Sequence, residues 1–415
     1  MWTNWAGGQS SSAPILRPST LAELQHAVAQ PDGMRVVGAG HSFTPIVAGA
    51  DRILDLSNLN LPTLGQVSED RVWVNANARL RDLSPALADH GLAFRNLGDI
   101  NAQSLAGAAA TATHGTGREL PCISAEITAA SFVGACGDIL STEDIPLEMA
   151  QVSLGLLGVL TDAQIAVIPK YSLRRRVTLV PLEETIASMH QKWAEFRNFE
   201  FFYIPFTGKA VEICHEMTDA PETKAPRDLD MIAVKVLKLA RNAGRYSSGL
   251  RSALLKLLTL AQSDEDYVGE SWRVLCSDRH IRFNEMEYHL PPDVAGDVLR
   301  DVFTRLHRDH PDIYFPIEVR HTAGDTACIS PFQGGPRVSV AIHTDAAEDH
   351  TRYFADIEPI LLEAGGRPHW GKIHSLTYKE LSRLYPDFDR FCAVREQLDP
   401  NGKFLTPALN KLFRP

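Results

Sequence analysis

The stretch Met34-Arg35-Val36-Val37-Gly38-Ala39-Gly40-His41-Ser42-Phe43-Thr44-Pro45 constrains the fold of this chain more than any other. The apolar run Met34 to Val37 reads as a buried strand, and Gly38 and Gly40 then let the backbone turn and approach a ligand closely. A strand running into such glycines suits a phosphate. The dinucleotide fingerprint G-x-G-x-x-G, however, needs a third glycine to pack a following helix against the strand. Phe43 holds that place and Pro45 follows two residues on, so the doubly wound reading fails and a loop of backbone N–H groups is expected instead. His41 and Ser42 set an imidazole and a hydroxyl beside the same cradle, although a lone histidine after a glycine turn is more often an ordinary loop residue.

Size and charge narrow the partners. A chain of 415 residues can bury a large core and suits two or three domains. The net charge of −10 argues against a nucleic-acid or anionic-membrane partner, since both require basic faces. Met1-Trp2-Thr3-Asn4-Trp5-Ala6 lacks the charged-then-apolar order of a signal peptide, and no apolar run reaches the length of a membrane span, so a cytoplasmic protein is expected. Cys122, Cys136, Cys214, Cys276, Cys328 and Cys392 stand singly, without a C-x-x-C pair or a Cys/His cluster. Each reads as a buried, reduced thiol, and no metal is expected.

Around the organising loop, Ser19 to Val28 reads as a capped helix, Asp51 to Leu56 and Arg71 to Ala76 as strands, and Arg81 to Gly91 as a helix ended by glycine. From Leu97 to Gly117 nearly every residue after Ala106 is small, with threonines interleaved. Ala106 to Ala110 is compatible with a closely packed helix. His114-Gly115-Thr116-Gly117 favours backbone contact with a polar ligand.

The second half repeats a pattern. Arg174 to Val180 (strand), Leu182 to Phe196 (helix), Phe199 to Pro205 and Ala210 to Glu216 (strands) are echoed by Ile281 to Leu290, Pro292 to His307, Ile313 to His321 and Val338 to His343. A polar stretch, Thr218 to Asp230, and a mostly helical one, Met231 to Leu260, lie between. Two βαββ units suggest one mixed sheet backed by helices. On a strand, Glu318 and Arg320 share one face while Ile317 and Val319 take the other, and His343 stands in the same relation to Asp345. Glu318 and Arg320 could equally be a structural ion pair. A turn at Gly366-Arg367-Pro368-His369-Trp370-Gly371-Lys372 presents Trp370 and Lys372.

Gly38-Ala39-Gly40-His41-Ser42, the segment around Gly107, the run Leu154 to Thr161, Glu318-Val319-Arg320 and His369-Trp370-Gly371-Lys372, in this order, resemble the vanillyl-alcohol-oxidase (PCMH-type FAD) superfamily, in its alditol oxidase and aldono-1,4-lactone oxidase branch. The resemblance implies an α+β, two-domain FAD-binding fold: residues 1–170 for FAD, 171–374 as a mixed-sheet substrate (cap) domain, and 375–415 returning to the FAD domain. It implies FAD held by Val37, Gly38, Ala39, Gly40, Ser42, Phe43, Gly98, Ser104, Gly107, Thr111, Thr113, His114, Gly117, Gly158 and Val159, and bonded covalently through His41. Glu318, Arg320, Lys372 and His343 carry over as catalytic residues, with Ala108, Asp345 and Trp370 at the substrate. Ala108 and Asp345 depart from the Ser and Thr of alditol oxidases, which puts an acyclic polyol in doubt. The gate for O2 aligns with Gly107, whose small size goes with oxidases. The expected enzyme is an oxidase that moves a hydride from a carbohydrate alcohol to FAD and reduces O2 to hydrogen peroxide. A dehydrogenase with a quinone or cytochrome acceptor, or a flavoprotein acting on a non-sugar alcohol, is the alternative.

Overall fold

The computed structural model describes residues 1–227, 230–261, 264–277 and 281–415. Helix Leu21–Ala29 starts where the Thr20 hydroxyl accepts from the Glu23 N–H, and it turns Leu24 and Val28 into the core. Beside it, strand Met34–Val37 pairs in parallel with Arg52–Asp55, which pairs in parallel with Ile15–Leu16. No helix follows Val37; residues 38–50 form a loop in which Gly40 takes φ +70. A five-stranded antiparallel sheet stands next to these strands, in the order Ile139–Ser141, Ile127–Val133, Val159–Ala166, Arg71–Asn75, Leu64–Val67. Their shared core takes Leu54, Val74, Phe132 and Ile165 from this part of the chain and Leu381, Phe388, Phe391, Leu409 and Phe413 from helices Tyr378–Leu384, Phe388–Leu398 and Pro407–Phe413. The buried Arg35 fastens the return of the chain, donating to Phe404 O at 2.9 Å and Gly155 O at 3.2 Å.

An eight-stranded sheet dominates the rest, in the order Glu265–Glu270, Ser172–Pro181, Lys209–Thr218, Asn198–Ile204, Ile317–Thr322, Arg337–Asp345, Phe283–Leu290, Arg367–Pro368. The two βαββ units form its centre and meet through their second strands, Asn198–Ile204 beside Ile317–Thr322. The sheet is not mixed, as the sequence pattern suggested: every pairing in it is antiparallel. In each unit the third strand folds back between the first two, and this separates the only strands that run the same way.

Alternation on these strands sorts two faces. Phe199, Phe201, Tyr203, Met286, Tyr288, Ile317, Val319, Val340 and Ile342 lie on one, packed under helices Leu182–Glu195, Ala295–Asp309 and Thr351–Glu363. Glu200, Glu285, Glu287, His289, Glu318, Arg320 and His343 occupy the intervening positions, and all are buried. The stretch expected to be helical from Met231 to Leu260 is two helices, Asp230–Gly244 and Ser248–Ala261, broken at 245–247. Residues 228–229, inside the expected polar stretch Thr218 to Asp230, lie outside the described residues. Of the six thiols expected to be buried, Cys122 and Cys328 are, Cys214, Cys276 and Cys392 are half-buried, and Cys136 is exposed because it sits in the turn between two strands.

Candidate active site

Where the loop after Val37 meets helix Leu105–Ala110 and the turn at 150–160, a cleft opens. Val37, Gly38, Ala39, Gly40, His41 and Ser42 line one wall, Ser104, Gly107 and Thr111 the second, and Gly158 and Val159 the third. The glycines are spatial requirements here. A Cβ on Gly38 would stand 2.4 Å from the Ser104 hydroxyl, and one on Gly158, at φ +143, would stand 2.9 Å from Val133 O. Ser104 Oγ accepts from the Gly107 N–H at 3.2 Å and Thr111 Oγ1 donates to Gly107 O at 3.2 Å, so these hydroxyls also hold the short helix in place. A glycine-walled cleft at the end of a strand suits a dinucleotide bound through backbone N–H groups.

His41 stacks on Trp5, with ring centroids 5.3 Å apart. Burial first, then the charges of Lys372 and Arg79, lower its pKa to about 4, so the imidazole is neutral at pH 7. Phe43 turns the other way, 5.8 Å from the Phe283 ring and 5.1 Å beneath the Lys372 ammonium, and its N–H donates to Gly371 O. The loop thus joins the cleft to the sheet.

On the polar face of the sheet, Arg320 is gripped by three carboxylates: Asp99 at 2.5 Å, Glu200 at 2.6 Å, and Glu318. Burial opposes its charge, but these acids hold the guanidinium firmly protonated. One guanidinium cannot balance all three, and burial together with the neighbouring acids pushes the Glu318 carboxyl well above the usual carboxylate range. Lys372 ion-pairs with Glu285, and His343 Nε2 lies 3.5 Å from the other Glu285 oxygen. Burial works against the Glu285 carboxylate, yet Lys372 and His343 hold it down to about 2. His343 Nδ1 lies 3.1 Å from Pro316 O, which orients the ring. These donor groups resemble cation sites in composition, but Arg320 and Lys372 already fill the Glu200/Glu318 and Glu285/His343 sets.

Not all expected residues gather here. Ala108 is fully buried in the core, because helix Leu105–Ala110 turns Gly107 to the cleft and its neighbour away from it. Trp370 is also a core residue: its indole N–H donates to Ile329 O at 2.6 Å and its ring stacks on Tyr385. The Asp345 carboxylate is engaged by Lys238 at 2.7 Å and Tyr314 at 2.9 Å. Gly98, Thr113, His114, Gly117 and Phe43 do not line the cleft. His114 reaches across to Glu287 at 2.8 Å, and the Gly117 N–H donates to His321 O at 2.6 Å; both fasten the loop after helix Leu105–Ala110 to the eight-stranded sheet. A Cβ on Gly98 would stand 2.8 Å from His114 O, so that glycine allows two strands of loop to touch. Thr113 accepts from Gln103 at 3.3 Å.

Asp99, Glu200, Glu285 and Arg35 escaped the sequence reading. For Glu285 and Glu200 the signal was present: each holds the same alternate-position place on its strand as Glu318 and Arg320. Asp99 and Arg35 act through distant partners that no local pattern reveals.

The family model described as D-arabinono-1,4-lactone oxidase matches residues 163–412, and an FAD binding domain model matches residues 13–143. An L-gulono-1,4-lactone dehydrogenase of Mycobacterium tuberculosis is 34% identical over 425 residues, covering 100% of this chain and 99% of its own length. An L-gulonolactone oxidase of Bos taurus is 26% identical, covering 99% and 97%, and an alditol oxidase of a Streptomyces species is 27% identical, covering 99% and 98%. In fold the chain is similar to the crystal structure of cholesterol oxidase from B. sterolicum, with TM-score 0.83 at 18% identity over 99% of this chain and 96% of that one. With matches spanning the cleft and the polar sheet face alike, the chain belongs to the D-arabinono-1,4-lactone oxidase family of FAD-binding proteins.

Proposed function

We propose that this protein is an FAD-dependent oxidoreductase that takes a hydride from a hydroxyl-bearing carbon of an aldono-1,4-lactone or alditol. The observation that carries the reading is the convergence of Glu318, Arg320, Lys372, Glu285 and His343 on the sheet face joined to the glycine-walled cleft. In this reading residues 1–170 and 375–415 bind FAD and residues 171–374 form the substrate domain. Val37 to Ser42 would hold the pyrophosphate by backbone N–H groups, and Ser104, Gly107, Thr111, Gly158 and Val159 would line the rest of the cofactor. When bound, FAD supplies the acceptor for the hydride.

The residues do the proton and charge work. Removing a hydride from a carbinol carbon requires its hydroxyl to lose a proton. Glu318 and Arg320 would orient that hydroxyl, and Arg320 and Lys372 would stabilise the negative charge that develops on its oxygen. His343 positions the substrate on the far side of Glu285. Neither Ala108 nor Asp345 is free to bind a sugar, so the departures at those positions do not separate lactones from alditols.

His41 is the proposed attachment point of a covalent flavin, and its neutral imidazole keeps the lone pair that such a bond needs. O2 is the proposed second acceptor, with hydrogen peroxide as product; Gly107, the small residue at the aligned gate, lines the cleft and supports this reading. The dehydrogenase reading has its own support in the 34% identical relative that carries that name. Among the described residues no helix is long and apolar enough to cross a membrane, and a cytoplasmic location belongs to the same proposal.

The decisive experiment is anaerobic bleaching of the purified flavoprotein by a panel of aldonolactones, alditols and reducing sugars. Rapid bleaching by lactones or alditols supports the reading; bleaching by neither class sinks it. Under air, one peroxide per substrate identifies the oxidase, and turnover only with an added dye or quinone identifies the dehydrogenase. Acid-precipitated protein should stay yellow, whereas the His41→Ala variant should release its flavin.

A further inference from the structure

Between Met231 and Ala261 the chain carries six basic residues, Lys235, Lys238, Arg241, Arg245, Arg251 and Lys256, and no Asp or Glu, although its net charge is −10. With Asp230 at its start, this segment forms the helical hairpin Asp230–Gly244 and Ser248–Ala261. Its inner side is satisfied. Leu237, Ala240 and Leu255 are buried with Ile204, Tyr314 and Phe315. Lys238 pairs with Asp345, Arg241 with Glu348 and Arg245 with Asp312, while Arg251 lies 4.0 Å over the Phe206 ring.

The outer side is the opposite. Ile232, Leu239, Leu257 and Leu260 are 59%, 56%, 65% and 74% exposed, and Tyr246 at the hairpin turn is 92% exposed. Among the described residues, the exposed large apolar side chains concentrate on this hairpin. Ile232, Lys235 and Leu239 recur at helical spacing on the first helix, and Lys256, Leu257 and Leu260 on the second, so leucines and lysines share each outward stripe. Lys235 and Lys256 are exposed, with no acidic partner among the described residues. Soluble monomers seldom leave such a face bare.

We propose that this hairpin is a membrane-surface anchor that docks the protein onto an anionic lipid bilayer without crossing it. The leucines enter the boundary between headgroups and acyl chains, and the lysines meet the lipid phosphates. A basic or neutral protein partner would satisfy the leucines but leave the two outward lysines, Lys235 and Lys256, without a counter-charge. The chain-wide charge, which suggested no membrane partner, averages over this outer face, where Lys235 and Lys256 are both positive. The anchor is tied to the pocket, because Lys238 grips Asp345 on the strand that carries His343, two residues away. Docking therefore fixes the substrate pocket relative to the bilayer surface.

The test is flotation of the full-length, flavin-loaded protein with vesicles of phosphatidylcholine alone or mixed equally with phosphatidylglycerol. Binding to the anionic vesicles should exceed binding to the neutral ones about tenfold. It should weaken, but not vanish, at high salt, because apolar insertion is not screened. The pair Leu257→Glu and Leu260→Glu should abolish flotation, and Lys235→Glu with Lys256→Glu should remove the preference for anionic lipid. All of these variants should keep full flavin content and turnover with a soluble dye. No flotation by the wild type, or equal binding to both vesicle types, would overturn the proposal. So would a wild-type dimer in light scattering that the leucine variants convert to monomer, since a second copy would then cover the face.

Discussion

The two faces of the eight-stranded sheet are built by the same strands, one residue apart, and do opposite work. On the face under the helices, Phe201, Tyr288, Val319 and Val340 are closely packed hydrocarbon whose contribution is stability. On the other face, Glu200, Glu285, Glu318 and Arg320 are buried ionisable groups whose desolvation costs stability and whose mutual pairing offsets only part of that cost. A protein that needed only a fold would put apolar residues on both. Their difference teaches that the sheet is a stable platform carrying a strained electrostatic site, and that the two properties should separate on mutation.

The largest separation is expected at Arg320. Arg320→Ala removes the cation from among three carboxylates and should lower kcat/KM about 10³-fold or more, with FAD still bound; near-normal turnover would mean the polar face is structural. Phe201→Ala, next door but on the apolar face, should do the reverse. It should cost about 4 kcal/mol of stability in denaturant melts and leave turnover at low temperature within a few-fold of wild type.

Acid should unfold the two faces differently. Glu285 has a folded pKa of about 2, below its ordinary 4.5, so its stabilising contribution is complete above 4.5 and is lost as the pH falls towards 2. The Glu285→Gln variant should therefore lose less stability than wild type across that window; parallel acid-melting curves would remove the assigned ion pair with Lys372. A Gly38→Ala change made in the His41→Ala background, where the flavin is free to dissociate, drives a Cβ to 2.4 Å from Ser104 Oγ and should weaken FAD binding about tenfold, read as flavin stoichiometry after dialysis. Trp370→Phe is the mildest test. Losing the bond to Ile329 O should cost about 1 kcal/mol and leave KM unchanged, and a shift in KM would return the indole to the pocket.

Much of this arrangement was legible before any coordinates. The strand at Met34–Val37, the absence of a helix after it, and both βαββ units follow from local chemistry: apolar runs, glycines, a proline, and periods of two or near four. The pairing of Glu318 and Arg320 on one face was legible for the same reason. What misled was carrying contacts over from a resemblance position by position. Trp370 and Lys372 are two apart in a turn, yet one enters the core beside Tyr385 and the other reaches Glu285. Gly107 and Ala108 are adjacent, yet a helix turns them to different surroundings. A lone sequence position does not say which side of a turn or short helix meets solvent.

The sequence by itself determined the secondary elements, the glycine cradle and the chemical types available to a site, because those depend on backbone sterics and on residues close together in the chain. Tertiary structure decided which strand lies beside which, and so made every pairing in the large sheet antiparallel. It also decided which carboxylates surround Arg320, bringing Asp99 and Glu200 to Glu318 from distant parts of the chain. The charge state of that cluster depends on burial and on neighbours far apart in sequence. No local pattern encodes a desolvation that only packing creates.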